Sequence, residues 1–139
     1  MMRNLFAVVL GLGVGVAVNM AVVFLNVALH PMPEGVAFED AEGMVDYFAT
    51  LPMQAFFLVL VAHLGQAFAG GWVAARISAH HSMTVAMIVG ALSLLAGFIN
   101  MMQLPHPWWM WIEIPLYLVV ARLAANLEIK RRIEAGLAG

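Results

Sequence analysis

The chain has 139 residues, of which 64% are hydrophobic and only 10% charged, and its formal net charge is −2. So few charged residues cannot form the polar shell that a soluble domain of this length needs. The absence of cysteine excludes disulfides, thiolate nucleophiles and cysteine-based metal sites. We therefore predict an integral membrane protein that forms a single domain over residues 1–139.

Four long apolar runs dominate the sequence. Each has roughly the 20 residues that a helix rising about 1.5 Å per residue needs to cross a hydrocarbon core about 30 Å thick. We predict an all-α membrane protein with four transmembrane helices in a compact bundle. The four spans cover about residues 5–29, 52–77, 83–104 and 108–127.

The positions of the basic residues predict the orientation of these spans. Arg3 precedes the first span, Arg76 ends the second, and residues 130–132 follow the fourth. The outer first loop, 30–51, carries five of the eight acidic residues and no basic residue. Because basic residues in short loops stay in the cytoplasm, we expect both termini on the cytoplasmic side of the membrane.

The first span contains glycines at a spacing typical of close helix packing. Gly11 and Gly15 are four residues apart and share one helix face. The Gly-Leu-Gly-Val-Gly stretch is not a phosphate-binding loop, because it lacks the lysine and the preceding strand of that motif. Further packing glycines are predicted in the second and third spans at Gly70, Gly71, Gly90 and Gly97.

The outer loop opens with two prolines, Pro31 and Pro33, which end the first helix. Apolar residues then recur at helical spacing opposite acidic ones, and this pattern predicts a short amphipathic helix at the outer interface. We favour a cap over the bundle to a lid or a docking surface. The predicted apolar face consists of Phe38, Ala41, Val45 and Phe48.

The fourth span begins with an aromatic cluster of Trp108, Trp109 and Trp111. Tryptophans are enriched where a membrane-spanning segment meets the headgroups, so we interpret the three as anchors at the outer interface. Pro115 lies shortly after them and predicts a kink in the helix.

A group of polar residues falls inside the predicted spans. The helical rise places His63 about at the bilayer midplane and Glu113 roughly 6 Å outward of it. Intramembrane ionisable residues are costly and commonly functional, so we predict an outward-facing polar cavity that carries a proton or holds a cationic or hydrogen-bonding ligand. The alternative is structural hydrogen bonding between helices. The predicted cluster is Glu113, His63, Gln66, Asn19 and Asn100, with Gln54, Gln103 and His106 at its mouth.

Other kinds of chemistry have little support in the sequence. No hydrolytic triad or zinc-binding spacing is present, and we expect neither an enzyme nor a bound metal or cofactor. Thioethers suit Cu(I), but methionine is also a usual filler of apolar packing. Three basic residues at the end of the chain indicate membrane orientation, not binding to nucleic acid. The outer-side methionines considered for copper are Met20, Met32, Met53, Met101, Met102 and Met110.

Two stretches of this chain resemble a pattern found in uncharacterised small membrane proteins of bacteria. The first runs from Ala62-His63 through Gly70-Gly71 to Ala75, and the second is Asn100-Met-Met-Gln-Leu-Pro-His-Pro-Trp108. The resemblance implies a four-span fold in a bacterial inner membrane and implies no activity. Small multidrug transporters share the span count, but they carry their essential acidic residue in the first span, where this chain has none.

Three functions are compatible with these observations, and we favour the first over the other two. An accessory or assembly subunit of a larger membrane complex is favoured by the small size, the packing glycines and the lack of a soluble domain. A small oligomeric transporter or channel is favoured by Glu113 and His63. A lipid- or quinone-binding protein is favoured by a polar pocket near tryptophans. The expected partners are membrane lipids, together with a larger complex or further copies of the chain.

Overall fold

The computed structural model describes residues 1–136, and all regular structure in that range is helical. The all-α prediction is therefore confirmed. Five α-helices follow one another, with a turn of 3₁₀-helix before the last. They are α1 (Met2–Leu29), α2 (Ala41–Thr50), α3 (Met53–Ile77), α4 (Ser82–Gln103), the 3₁₀ turn Trp108–Ile112 and α5 (Glu113–Glu134).

Three helices within residues 1–136, not the predicted four, are long and apolar enough to cross a membrane: α1, α3 and α4. The fourth predicted span, 108–127, is divided between the 3₁₀ turn and α5. α5 is less apolar because it includes Glu113, Arg122, Glu128 and a basic end. Three apolar helices of this length are typical of a multi-pass membrane protein.

Pro115 does not kink a continuous fourth helix, as its position had suggested. It is the third residue of α5 and therefore lies in the first turn, where the backbone nitrogen has no partner within the helix. The predicted span instead changes from 3₁₀-helix to α-helix at Glu113, and the backbone is helical on both sides of this change.

α3 packs against three other helices: α1, α4 and α5. α4 and α5 also pack against each other, whereas α1 has much less contact with α4. A Cβ on Gly11 would lie 2.6 Å from the carbonyl oxygen of Gly70, and a Cβ on Gly70 would lie 2.6 Å from that of Gly11. Only glycine at both positions allows this approach between α1 and α3.

The other predicted packing glycines also lie at contacts between helices. A Cβ on Gly15 would be 2.6 Å from the backbone oxygen of Gln66 in α3. Gly71 and Gly90 both face Ala121 of α5, and a Cβ on Gly90 would lie 2.5 Å from the Ala121 side chain. Small residues therefore set the spacing of α1 against α3 and of α5 against both α3 and α4.

A helix is present in the outer loop, but it buries a different face from the one predicted. Met44 and Tyr47 are the buried residues of α2, whereas Ala41 and Val45 are exposed. Of the predicted face within α2, only Phe48 packs against the core. The Tyr47 hydroxyl donates a hydrogen bond to the carbonyl oxygen of His30, at the end of α1. This hydrogen bond turns the Met44–Tyr47 face inward, and burial raises the pKa of Tyr47.

A charged cluster joins α5 to the end of α3. Glu128 is completely buried and accepts hydrogen bonds from Arg131 at 2.7 and 2.8 Å and from Arg132 at 3.0 Å. These guanidinium groups, Arg131 foremost, lower the pKa of Glu128 to about 2. Arg132 also donates hydrogen bonds of 2.7–3.1 Å to the carbonyl oxygens of Ala75, Arg76, Ser78 and Ala79.

Arg132 therefore caps the carboxyl end of α3. The last carbonyl groups of a helix lack partners within it and carry partial negative charge. A guanidinium group supplies both the missing hydrogen bonds and a compensating positive charge. We call the unit formed by Glu128, Arg131 and Arg132 the inner clamp.

Candidate functional site

The central feature of the candidate site is a pair formed by His63 of α3 and Glu113 of α5. His63 Nδ1 lies 3.1 Å from each carboxylate oxygen of Glu113. The Glu113 side chain has no solvent-exposed area, and that of His63 is 11% exposed. The lengths of the two side chains bridge the difference in depth predicted between them. Because a buried carboxylate is costly without a partner, the pair is the main polar interaction between the two helices at this level.

Tyr117 completes the surroundings of this carboxylate. It lies one helical turn after Glu113, and its hydroxyl is 3.5 Å from Glu113 Oε1. Its ring stacks on that of His63 with the centroids 6.3 Å apart. A Cβ on Gly97 of α4 would overlap the Tyr117 hydroxyl, so glycine at this position makes room for the tyrosine. Sequence analysis missed Tyr117, although its i, i+4 spacing from Glu113 was a usable signal.

A cavity of about 170 Å³, here called the inner chamber, lies beside this pair. Four of the five residues predicted to form the polar cluster line the inner chamber. The fifth, Glu113, does not line it but contacts His63, which does. Ser93, which sequence analysis did not select, accepts a hydrogen bond of 3.4 Å from Gln66 Nε2. The lining residues are Asn19, His63, Gln66, Ser93, Ala96, Gly97, Asn100 and Tyr117.

A second cavity of about 200 Å³, the outer chamber, lies between the inner chamber and α2. The two chambers adjoin at Asn19, His63 and Asn100, which line both. Met44 and Tyr47 of α2 also line the outer chamber. α2 therefore covers a space that reaches His63.

The residues predicted at the mouth of the cavity do not form it. Gln54 and Gln103 are exposed and line neither chamber. His106 packs its ring against Phe48 and Phe56, with centroid distances of 5.3 and 6.1 Å. Burial lowers the pKa of His106. Loop 104–107 thus folds over an apolar cluster at the outer end of the molecule.

The roof of the outer chamber is held by hydrogen bonds that sequence analysis did not foresee. Asn26 is buried in α1 and donates to the carbonyl oxygen of Ala55 at 3.3 Å. His30 Nδ1 donates to the side-chain oxygen of Asn26 at 3.0 Å, and the His30 carbonyl accepts from Tyr47. These bonds join the end of α1, the start of α3 and α2.

The three tryptophans predicted as interface anchors differ in exposure. Trp108 is 85% exposed and Trp111 is 44% exposed. Trp109 packs on Phe57 with the ring centroids 5.0 Å apart, and its indole nitrogen is buried without a protein partner among the described residues. Their location in one 3₁₀ turn suits an anchoring role, which stays a prediction.

No group of three histidine, aspartate or glutamate side chains within residues 1–136 is placed to hold a metal ion. Two of the methionines considered for copper, Met101 and Met110, are buried in an apolar cluster with Phe56 and Val59. These two thioethers contact apolar side chains and contribute to the packing of the core.

Comparisons of the chain with protein-family models, curated protein sequences and solved structures found no match. The resemblance to uncharacterised bacterial membrane proteins therefore stays a prediction, and function has to be argued from the site itself.

Proposed function

We propose that the chain is a four-span protein of a bacterial inner membrane, with residues 108–127 as the fourth span and both termini in the cytoplasm. The 3₁₀ turn and the part of α5 up to residue 127 together rise about 32 Å. The charged residues of α5 are compatible with this placement. Glu113 is buried and paired, Arg122 lies toward the cytoplasmic end, where its side chain can reach the interface, and Glu128 belongs to the inner clamp.

Within this topology, the Glu113–His63 pair is the proton-binding site of a small transporter. The observation that carries this proposal is a fully buried carboxylate whose histidine partner lines both chambers. A purely structural hydrogen bond requires no adjoining cavity. Here the polar side chains surround open space that a proton carrier or a small solute can occupy.

Few other titratable groups are near the pair. α5 contributes Tyr117, which contacts Glu113, and the loop after α4 contributes His106, whose pKa responds to the charges of both His63 and Glu113. From α1 and α4, the polar residues that line the chambers are asparagines and a serine. Proton uptake at the site is therefore assigned to His63 and Glu113.

Charge movement after a pH jump tests this role without knowledge of the solute. The purified protein is reconstituted in liposomes, adsorbed to a solid-supported membrane and exposed to a sudden pH change. We expect a transient current in the wild type, a current reduced to that of empty liposomes in Glu113→Gln, and a wild-type current in Glu134→Gln. Glu134 is an exposed glutamate on the same helix. A current of wild-type size in Glu113→Gln, or none in the wild type, would refute the proposal.

An accessory or assembly subunit of a larger complex is the second candidate, and the exposure of α1 is the observation that favours it. Only four of its 28 residues are buried: Ala7, Gly11, Gly15 and Asn26. Most of its apolar surface therefore faces lipid or another protein. Native mass spectrometry after extraction into detergent-free lipid discs separates these cases. A larger membrane protein at fixed stoichiometry supports the subunit role, whereas a monomer or homo-oligomer contradicts it.

A further inference from the structure

We propose that the two chambers bind a single-ring aromatic compound with a hydroxyl group, of the hydroquinone or phenol class, which donates a hydrogen bond to His63. This inference rests on the proposed function in one respect, namely that the Glu113–His63 pair is a working polar site and not only a contact between helices. It adds the chemical class of the ligand and the route by which the ligand arrives.

The size of the outer chamber is sufficient for a substituted single ring. The volume is about 200 Å³, and an apolar protein cavity of about 150 Å³ is known to hold benzene. A substituted six-membered ring therefore fits. An ion is disfavoured, because most of the wall is apolar and would leave its charge unsolvated. The apolar wall includes Val23, Val27, Leu51, Val59 and Leu104.

The polar residues at the floor of the outer chamber favour a ligand that carries a hydroxyl group. Asn19, His63 and Asn100 are the polar residues there. Because His63 Nδ1 is bound to Glu113, a neutral imidazole donates from Nδ1 and keeps Nε2 as an acceptor. His63 Nε2 has no hydrogen-bond partner among the described residues. A ligand hydroxyl satisfies this acceptor, and the two amides can bind a second oxygen on the ring.

The packing of α1 against α4 provides a route from the lipid bilayer. The contact between these helices is formed in their cytoplasmic halves, where Val8 and Leu12 pack near Val85 and Val89. In their outer halves, Asn19 and Asn100 line the chambers between them. Apolar ring compounds dissolve in lipid, so they reach the chambers sideways between α1 and α4.

Calorimetric titration of the protein in lipid discs, with empty discs subtracted, tests the ligand class. The probes are tetramethylhydroquinone, its oxidised form tetramethylbenzoquinone, and tetramethylbenzene, all of similar shape. We expect saturable binding of the hydroquinone, and binding about tenfold weaker for the quinone, which has no hydroxyl to donate. Tetramethylbenzene should bind more weakly still. Equal affinities for the three compounds would overturn the assignment.

Two variants with matched controls locate the binding site. His63→Phe should weaken hydroquinone binding about tenfold, while Gln54→Leu, on an exposed position of the same helix, should leave it unchanged. Val23→Phe fills the outer chamber without changing the polar pair, so it remains informative if His63→Phe fails to fold. It should abolish binding, whereas Leu25→Phe on the exposed face of α1 should not. Undiminished binding in Val23→Phe would place the ligand elsewhere and overturn the inference.

The pH-jump current measured on the same preparations separates the two proposals. A current that depends on Glu113, together with no heat above empty discs, overturns the ligand assignment and leaves the proton-binding role intact. Saturable hydroquinone binding that depends on His63, together with no such current, overturns the proton-binding role and retains the ligand.

Discussion

A double-mutant cycle on Glu113 and His63 tests whether the pair is present for function or for stability. The three variants are His63→Leu, Glu113→Leu and the double substitution. Removing one member of a buried ion pair leaves the other without a partner, whereas replacing both by apolar residues of similar volume is often neutral or stabilising. The double variant therefore distinguishes the two explanations.

The expected energies follow from burial and geometry. Glu113 has no exposed side-chain area and two 3.1 Å contacts with His63, and its only other described partner, Tyr117, is at 3.5 Å. His63→Leu should thus cost about 3 kcal/mol of unfolding free energy, the lower end of the range for a broken buried pair. Glu113→Leu should cost less, about 1–2 kcal/mol, because His63 retains access to the chambers. The double variant should lie within about 1 kcal/mol of the wild type.

Unfolding in mixed micelles of increasing denaturing detergent, followed by tryptophan fluorescence, measures these free energies. The control cycle combines Glu113→Leu with Gln54→Leu, at an exposed position of α3 that lines neither chamber, so its energies should add within about 0.5 kcal/mol. If the double variant loses as much stability as the sum of the two single variants, the two side chains are not coupled and each stabilises the fold independently, so the reasoning from a costly buried pair to a function is wrong.

Three further predictions concern the rest of the fold. Gly70→Leu should destabilise the protein by about 3 kcal/mol through overpacking against the α1 backbone, whereas Gly13→Leu, with open space around it, should be neutral in the same unfolding assay. Glu128, one residue beyond the proposed fourth span, has a folded pKa of about 2 against a reference of 4.5, so it stabilises the fold above about pH 4.5 and loses this contribution as the pH falls toward 2. Thermal unfolding of Glu128→Gln should lack that decline. Tyr47→Phe removes the hydrogen bond to His30 and should cost about 1 kcal/mol, seen as faster hydrogen exchange in α2.

The sequence predicted the three most apolar helices closely, since length and hydropathy determine them directly. The predicted runs 5–29, 52–77 and 83–104 differ from α1, α3 and α4 by at most three residues at each end. The fourth run was harder, because hydropathy does not distinguish a 3₁₀ turn from the helix that follows it. The buried face of α2 was also missed, since a tyrosine hydrogen bond to a distant carbonyl outweighed apolar periodicity.

The sequence predicted most of the residues that line the candidate site but not the contacts among them. Helical rise alone grouped Asn19, His63 and Asn100 at related depths, and the structure places all three around the same chambers. Ser93 escaped selection because serine is ordinary in helices and only tertiary packing brings it to Gln66. Tyr117 was missed although its i, i+4 spacing from Glu113 can be read in the sequence. The inner clamp was not predicted either, because the basic residues at the end of the chain were interpreted as an orientation signal alone.

The difference in packing between the two ends of the molecule constrains any transport mechanism. At the end that we propose to be cytoplasmic, Gly11 and Gly70 bring α1 and α3 into backbone contact, and Arg132 joins α5 to the carboxyl end of α3. At the opposite end, the chambers separate α1 from α4. In the proposed orientation, a solute bound at His63 thus meets the tightest packing on its cytoplasmic side, and we expect its release inward to require the clamp to open. A protein that only binds a membrane-dissolved ligand has no such requirement. Loosening the clamp should therefore change the rate of transport but not the affinity for the ligand. The effect of a clamp variant on these two quantities thus distinguishes a transporter from a protein that only binds the ligand.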